Sequence, residues 1–273
     1  MPLAIVPTPV GNLGDITERA LRVLREADCI ACEDTRTSLP LLRHFGIAKP
    51  LISYHAFNEK NRAGQILDRL HEGQSVVLIS DAGTPGISDP GYEIIRRCID
   101  AGIEITVLPG ATAFVPALIL SGLPPYPFLF YGFLPEKQGE RETALRSLAD
   151  CPWTMLFYMS PHKAKRQTED ILRVLGDRRA TLVREISKIY EEARRGTLSS
   201  LIASLEEGVR GELVLVVEGR KSTVPGEAFW KKAAGRLLED GLPTKEVVKI
   251  LSEEYGVSKN AVKSFLFGQT EEQ

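Results

Sequence analysis

No apolar run in the 273 residues reaches the ~18 that a membrane span requires, and no charged stretch leads into an apolar one at the N-terminus. A membrane span and a signal peptide are therefore not expected, and the chain is expected to be cytoplasmic. Cysteine is scarce, and four residues do not make a disulfide framework. Cys29 and Cys32 form a C-x-x-C within a predicted strand, Cys29–Glu33, where a spacing of three sends side chains to opposite faces. With no second pair, and no ligand spacing among His44, His55, His71 and His162, no metal site is expected. The glycine fingerprint of dinucleotide folds, the P-loop, the G-x-S-x-G elbow and H-E-x-x-H are all missing. No internal repeat or low-complexity tract occurs. An excess of positive charge is lacking too: the net charge is −2, which argues against a general nucleic-acid binder. Only residues 136–195, with 13 basic and 10 acidic side chains, lean toward a polyanion.

What is present is a soluble composition, 43% hydrophobic and 26% charged, in a length sufficient for two cores. The pattern centres on Ser80–Gly91, twelve residues with three glycines, two prolines and two aspartates. They lie between the β-branched run Val76–Ile79 and a predicted helix, Tyr92–Ala101, at the strand-to-helix junction where open α/β sheets bind ligands. A turn there needs four or five such residues, so the stretch is read as a binding loop. Similar junctions follow the predicted strands Leu3–Val6, with Pro7 to Asp15, and Cys29–Glu33, with Glu33-Asp34-Thr35-Arg36. Another follows Ile105–Leu108, with Pro109-Gly110-Ala111-Thr112-Ala113. The four loops should line one edge of one sheet.

The spacing predicts helices at Ile16–Ala27, capped by Asp15 with Glu18, at Ser38–Phe45, at Asn58–His71, and from Pro109 to about Leu120. The proline-dense Ser121–Pro127 marks a boundary. Beyond it come strands Phe128–Phe133, Thr154–Tyr158, Ala180–Arg184 and Glu212–Val217, with helices Glu140–Leu148, one ending near Leu175, and Leu198–Leu205 capped by Thr197. Lys221–Gly226 reads as a linker. Three helical patterns follow, Glu227–Glu239, Thr244–Tyr255 and Ser258–Phe267, the last two joined like a helix-turn-helix. The expected organisation is an N-terminal α/β domain (1–123), a second α/β domain (124–221) and a small helical domain (222–273). With seven basic and eight acidic side chains, residues 222–273 do not read as a DNA-binding module, and no DNA partner is expected. A ligand-sensing regulator with a helix-turn-helix tail is the rival reading from outside the enzymes.

Thr8–Thr17, Glu33–Arg36, Ser80–Gly91 and Pro109-Gly110 together resemble the tetrapyrrole methylase superfamily, and within it the methylases of small-subunit ribosomal RNA. Gly132-Phe-Leu-Pro135, Ser160-Pro-His162, Arg184-Glu185 and Arg195-Gly-Thr-Leu198 extend the likeness over residues 3–220. Lys163, where arginine is expected, and Pro109–Ala113, where Pro-Gly-Pro-Ser-Ala is expected, depart from the pattern. The resemblance implies two α/β domains with S-adenosylmethionine (SAM) in the cleft between them, usually in a homodimer. The cofactor residues it implies are Pro9, Val10, Gly11, Asp81, Gly83, Thr84, Pro85, Thr112, Ala113, Tyr158 and Met159. The implied reaction is 2′-O-methylation of a cytidine ribose in the decoding region of 16S rRNA within the small ribosomal subunit. Asp34, Asp89, Glu185 and Lys188 are candidates to activate or orient the hydroxyl, and Arg36, Ser160, His162 and Lys163 to hold substrate. Methylation of a tetrapyrrole is the alternative within the superfamily.

Overall fold

The computed structural model describes residues 3–206, 208–220 and 227–268; the predicted linker Lys221–Gly226 lies outside them. The chain forms two compact units, Met1–Gly219 and Arg220–Gln273. In the first, β1 (Leu3–Ile5), α1 (Glu18–Glu26), β2 (Cys29–Cys32), α2 (Thr35–His44), β3 (Leu51–Ser53) and α3 (Glu59–His71) lead to β4 (Val76–Ile79), α4 (Tyr92–Asp100) and β5 (Ile105–Val107). The five strands form one parallel sheet in the order β3-β2-β4-β1-β5. β1, β2 and β4 are buried along their whole length, as strands covered by helices on both faces must be. Cys32 packs with Leu24 and Leu42 on one face, Cys29 with Ala63 and Cys98 on the other, as their spacing predicts.

α5 (Phe114–Ser121) then crosses to a second sheet, made of β6 (Phe128–Phe133), β7 (Thr154–Met159), β8 (Arg179–Arg184), β9 (Glu192–Thr197) and β10 (Leu213–Val217). Its order is β6-β7-β10-β8-β9; β6 and β7 run parallel and the other pairs antiparallel. α6 (Gln138–Ser147), α7 (Ala164–Leu175) and α8 (Leu198–Ser204) cover one face through Leu145, Ile171 and Leu201. Ala117 and Leu118 of α5 pack on the other face with Leu156, Val183 and Val216. Arg141 and Asp170, both buried, pair beneath α6 and α7 at 2.6 Å, and the guanidinium also donates to the Pro135 and Glu136 carbonyls. This sheet and α5 belong to the same compact unit as the parallel sheet.

Several helix starts differ from the sequence expectation. Thr17, not Asp15, caps α1, its hydroxyl accepting from the Ala20 amide; Asp15 sits in a 3-10 turn, where it accepts from the Ser187 hydroxyl. α2 begins at Thr35 because Asp34 caps it, and α5 begins only at Phe114, which leaves 109–113 as loop. β9 has no sequence signal: Glu-Ala-Arg-Arg-Gly-Thr lacks apolar alternation, because it is a partly exposed edge strand.

In the second unit, α9 (Glu227–Glu239), α10 (Thr244–Glu253) and α11 (Lys259–Gly268) enclose a core of Trp230, Ala234, Val247, Leu251 and Val262. Among the described residues no helix is long and apolar enough to cross a membrane, and no cluster of His, Cys, Asp or Glu is placed to hold a metal ion.

Candidate active site

The loops after β1, β2, β4 and β5 all leave the same edge of the parallel sheet and are stitched together there. Thr8 and Gly83 exchange backbone hydrogen bonds of 2.9 Å, and the Thr8 hydroxyl donates to the Ser80 carbonyl at 3.1 Å. The Thr84 hydroxyl donates to the Ala111 carbonyl at 3.0 Å, and the Asp34 amide to the Asp81 carboxylate at 3.1 Å. The glycines of the long loop serve two purposes. Gly86 and Gly91 fold it on itself: Gly91 sits at φ 152°, and a Cβ there would meet the Gly86 backbone at 3.0 Å. Gly83, at φ 82°, faces the open space.

That space is a cleft of about 320 Å³. The parallel half contributes Val10, Glu33, Asp81, Gly83, Thr84, Asp89, Thr112 and Ala113, and the second half Phe133, Tyr158, Met159, Ile186, Glu212, Leu213 and Val214. A neighbouring hollow of about 470 Å³ shares Val10, Asp81, Ala82 and Glu212 and adds Pro9, Gly11, His44 and Lys188. The halves meet at the loop after β8. A Cβ on Gly11 would strike the Lys188 side chain at 2.5 Å and the Ile186 carbonyl at 2.6 Å, so only glycine admits that approach. Glu185 and Ser187 hold left-handed backbone there, at φ 53° and 66°.

Electrostatics divide the ionisable residues around the cleft. Burial pushes the carboxyls of Glu33, Asp81 and Asp89 up, and each of the three is raised further by a neighbouring carboxylate. Burial likewise pushes the Tyr158 phenol up to about 12. Asp34 is the opposite case: the Arg36 side chain grips it at 2.6 Å, and its carboxyl is held down to about 2. Glu185 accepts from the Glu212 amide and the Lys188 ammonium, both at 2.9 Å, which hold it below its ordinary range. Burial draws Lys188 down, but Glu185 and Glu212 outweigh it and the net direction is up.

Nine of the predicted residues thus line the cleft: Val10, Asp81, Gly83, Thr84, Asp89, Thr112, Ala113, Tyr158 and Met159. Pro9, Gly11 and Lys188 line the adjoining hollow. Pro85 lines neither space, nor do Asp34, Arg36, Glu185, Ser160, His162 and Lys163; Lys163 pairs with Glu136. Sequence reasoning missed the other ten lining residues, among them Glu33, Ile87, Phe133, Ile186 and Glu212. Half sit inside motifs already singled out; Glu212, at the foot of β10, carries no signal of its own.

Residues 2–202 match the family described as Tetrapyrrole (Corrin/Porphyrin) Methylases. A ribosomal RNA small subunit methyltransferase I of Halalkalibacterium halodurans is 43% identical over 267 residues, covering 95% of this chain and 92% of the relative. Its namesake from Haemophilus influenzae is 42% identical over 269 residues, covering 96% and 95%. Among solved structures, a uroporphyrin-III C-methyltransferase from Thermus thermophilus complexed with S-adenosyl homocysteine superposes with a TM-score of 0.58 at 23% identity, covering 80% of this chain and 97% of that one. A diphthine synthase superposes with a TM-score of 0.61 at 18% identity, covering 79% and 89%. With the family pattern running through both sheets and close relatives matching nearly end to end, the chain belongs to the tetrapyrrole methylase family and is a methyltransferase.

Proposed function

We propose that the chain transfers a methyl group from SAM to ribosomal RNA of the small subunit, at the 2′-hydroxyl of a cytidine in the decoding region of 16S rRNA, in the cytoplasm. The observation that carries this reading is the match of more than 90% of the chain to relatives named for small-subunit rRNA methylation. The cleft suits the cofactor chemically. Four carboxylates, Glu33, Asp81, Asp89 and Glu212, line it with no lysine or arginine among the described lining residues, an environment for a ligand bearing sulfonium and ammonium charges. SAM bound there supplies an electrophilic methyl group, and its transfer needs no metal.

The chain's own residues hold and orient. Asp81 fixes the loop after β2 by accepting from the Asp34 amide and the Thr37 side chain, and its carboxylate lines the cleft, where it can also accept from a hydroxyl or ammonium donor. Gly83, Thr112 and Ala113 offer backbone at close range. Asp89 is the proton acceptor of choice: it faces the cleft and is raised by burial, whereas Asp34 is committed to Arg36 and Glu185 to Lys188. Glu185 ties the loop after β8 to the start of β10, and Lys188, held by Glu185 and Glu212, lies against Gly11 of the other half. The active form is expected to be a homodimer, with residues 1–123 and 124–221 as its two α/β domains.

The test is transfer of labelled methyl from SAM to small subunits lacking the modification, with bare 16S rRNA and a porphyrinogen in parallel. Label entering subunit RNA at one alkali-resistant ribose position supports the reading. Label entering only the porphyrinogen replaces it with the tetrapyrrole alternative.

A further inference from the structure

Phe133 ends β6, and in an unbroken strand it would share a face with Leu129 and Tyr131, under the α6–α8 layer. It does not. The β6–β7 register shifts between Phe130 and Gly132, and Gly132 takes φ 80°. This bulge reverses the alternation, so Phe133 pairs with Tyr158 and faces the cleft. The Tyr158 and Phe133 rings meet edge-to-face at 5.4 Å between centroids, and Phe133 remains 58% exposed. Across the mouth, a Cβ on Gly132 would lie 3.5 Å from the Ser88 hydroxyl. The neighbouring Ile87 lines the same cleft and is 57% exposed. An aromatic plane and an aliphatic side chain, one from each half, thus stand at the entrance to a chamber lined by carboxylates.

Such a chamber repels phosphate, so a polynucleotide enters it only as an unstacked nucleoside, its backbone remaining outside. The residue that meets that nucleoside first must bind a flat, uncharged ring, which an anchored aromatic does without reading sequence. We propose that Phe133, with Ile87 opposite, is the platform on which the base of the acceptor nucleotide stacks, the bulge at Tyr131–Gly132 serving to aim it. This proposal rests on the RNA reading above.

The full-length chain is assayed with small subunits lacking the modification, and SAM affinity is measured separately by calorimetry. Phe133→Ala is expected to lower kcat/KM for subunits roughly ten- to hundredfold, chiefly through KM, with SAM affinity within about twofold of the parent. Phe133→Tyr restores most of the activity; Phe133→Leu, apolar but not planar, does not. Ile87→Ala gives a smaller loss of the same kind. An equal loss of SAM affinity and transfer in Phe133→Ala, with Phe133→Tyr normal in both, would put the ring on the cofactor and overturn the proposal. Unchanged kcat/KM in Phe133→Ala, or rescue by leucine as complete as by tyrosine, also overturns it. Failure of the RNA reading shows separately, as a parent enzyme that labels the porphyrinogen and not the subunit.

Discussion

The two sheets of the first unit bring different material to one cleft. The parallel sheet brings backbone: its strands end in loops of glycine, proline and short polar residues tied by Thr8, Thr84 and Asp81. The mixed sheet brings side chains directly from its strands, Tyr158 from β7, Val214 from β10 and Phe133 from β6, while the side chains of the adjacent Met159 and Leu213 pack in the core on the opposite face. A parallel sheet delivers all its carboxyl ends, and hence its loops, to one edge. The mixed sheet presents a flank instead, and the strand alternation decides which side chains face the ligand. One half is therefore charged and lined by loop backbone, while the other is a largely apolar wall.

The sharpest way to break this contrast is to damage the wall from behind. Phe157 is fully buried on the opposite face of β7 from Tyr158, and Phe157→Ala should cost about 3–5 kcal/mol of stability, read in denaturant titration. SAM affinity should fall with it, because β7 lines the cleft; unchanged affinity would mean that the cleft does not depend on the second sheet. In the charged half, Asp89→Asn should slow methyl transfer about a hundredfold at saturating SAM while the fold persists, in single-turnover assays. A variant retaining near-normal rate would remove Asp89 as proton acceptor.

A third variant separates strut from catalyst. Glu185→Gln keeps an oxygen for the Glu212 amide and loses the charge facing Lys188, so kcat should drop less than about fivefold while thermal stability falls by a few degrees. A hundredfold loss of kcat with an unshifted melting point would place Glu185 in the chemistry.

Acidity sharpens the comparison further. Asp89 accepts a proton only when ionised, and burial raises it, so the acid limb of the kcat/KM profile should lie above that set by an ordinary aspartate. Glu212→Gln removes one of the neighbouring negative charges that raise Asp89 and should move that limb to lower pH. The sign for stability follows: with folded values raised, the contribution of Glu33, Asp81 and Asp89 is fully present below their unfolded values and lost as pH rises through the folded ones. Glu33→Gln should thus be slightly stabilising at neutral pH and neutral in acid, by thermal melts at both. The smallest effect is structural. Tyr54→Phe deletes the hydroxyl that accepts from the Ile94 amide at 3.2 Å, which should cost about 1 kcal/mol and leave catalysis untouched.

The parallel half was legible in the sequence because its elements obey local rules. Val76–Ile79 is an unbroken apolar run, and Ser80–Gly91 holds more glycine and proline than a turn needs. Helix starts were less so, since Asp15, Thr17 and Glu18 offer competing caps and only the packing of Ala20, Val23 and Leu24 selects Thr17. The wall was harder still. The orientation of Phe133 depends on a one-residue bulge that alternation alone predicts to the wrong face. β9 is held by its pairing with β8 rather than by any apolar pattern. Glu212 enters the cleft only because the β8 loop folds against it, a contact spanning 27 residues.

The distribution of thiols has a practical consequence. Cys29, Cys32 and Cys98 are buried in the parallel half, and burial pushes all three thiols up, away from the reactive thiolate. Cys151 alone is partly exposed, just ahead of β7 at the end opposite Met159, roughly 17 Å along the strand from the cleft. A maleimide fluorophore therefore has one address on the native chain, without mutagenesis. It would report on the apolar wall as substrate arrives, from a distance at which the dye itself does not obstruct the entrance.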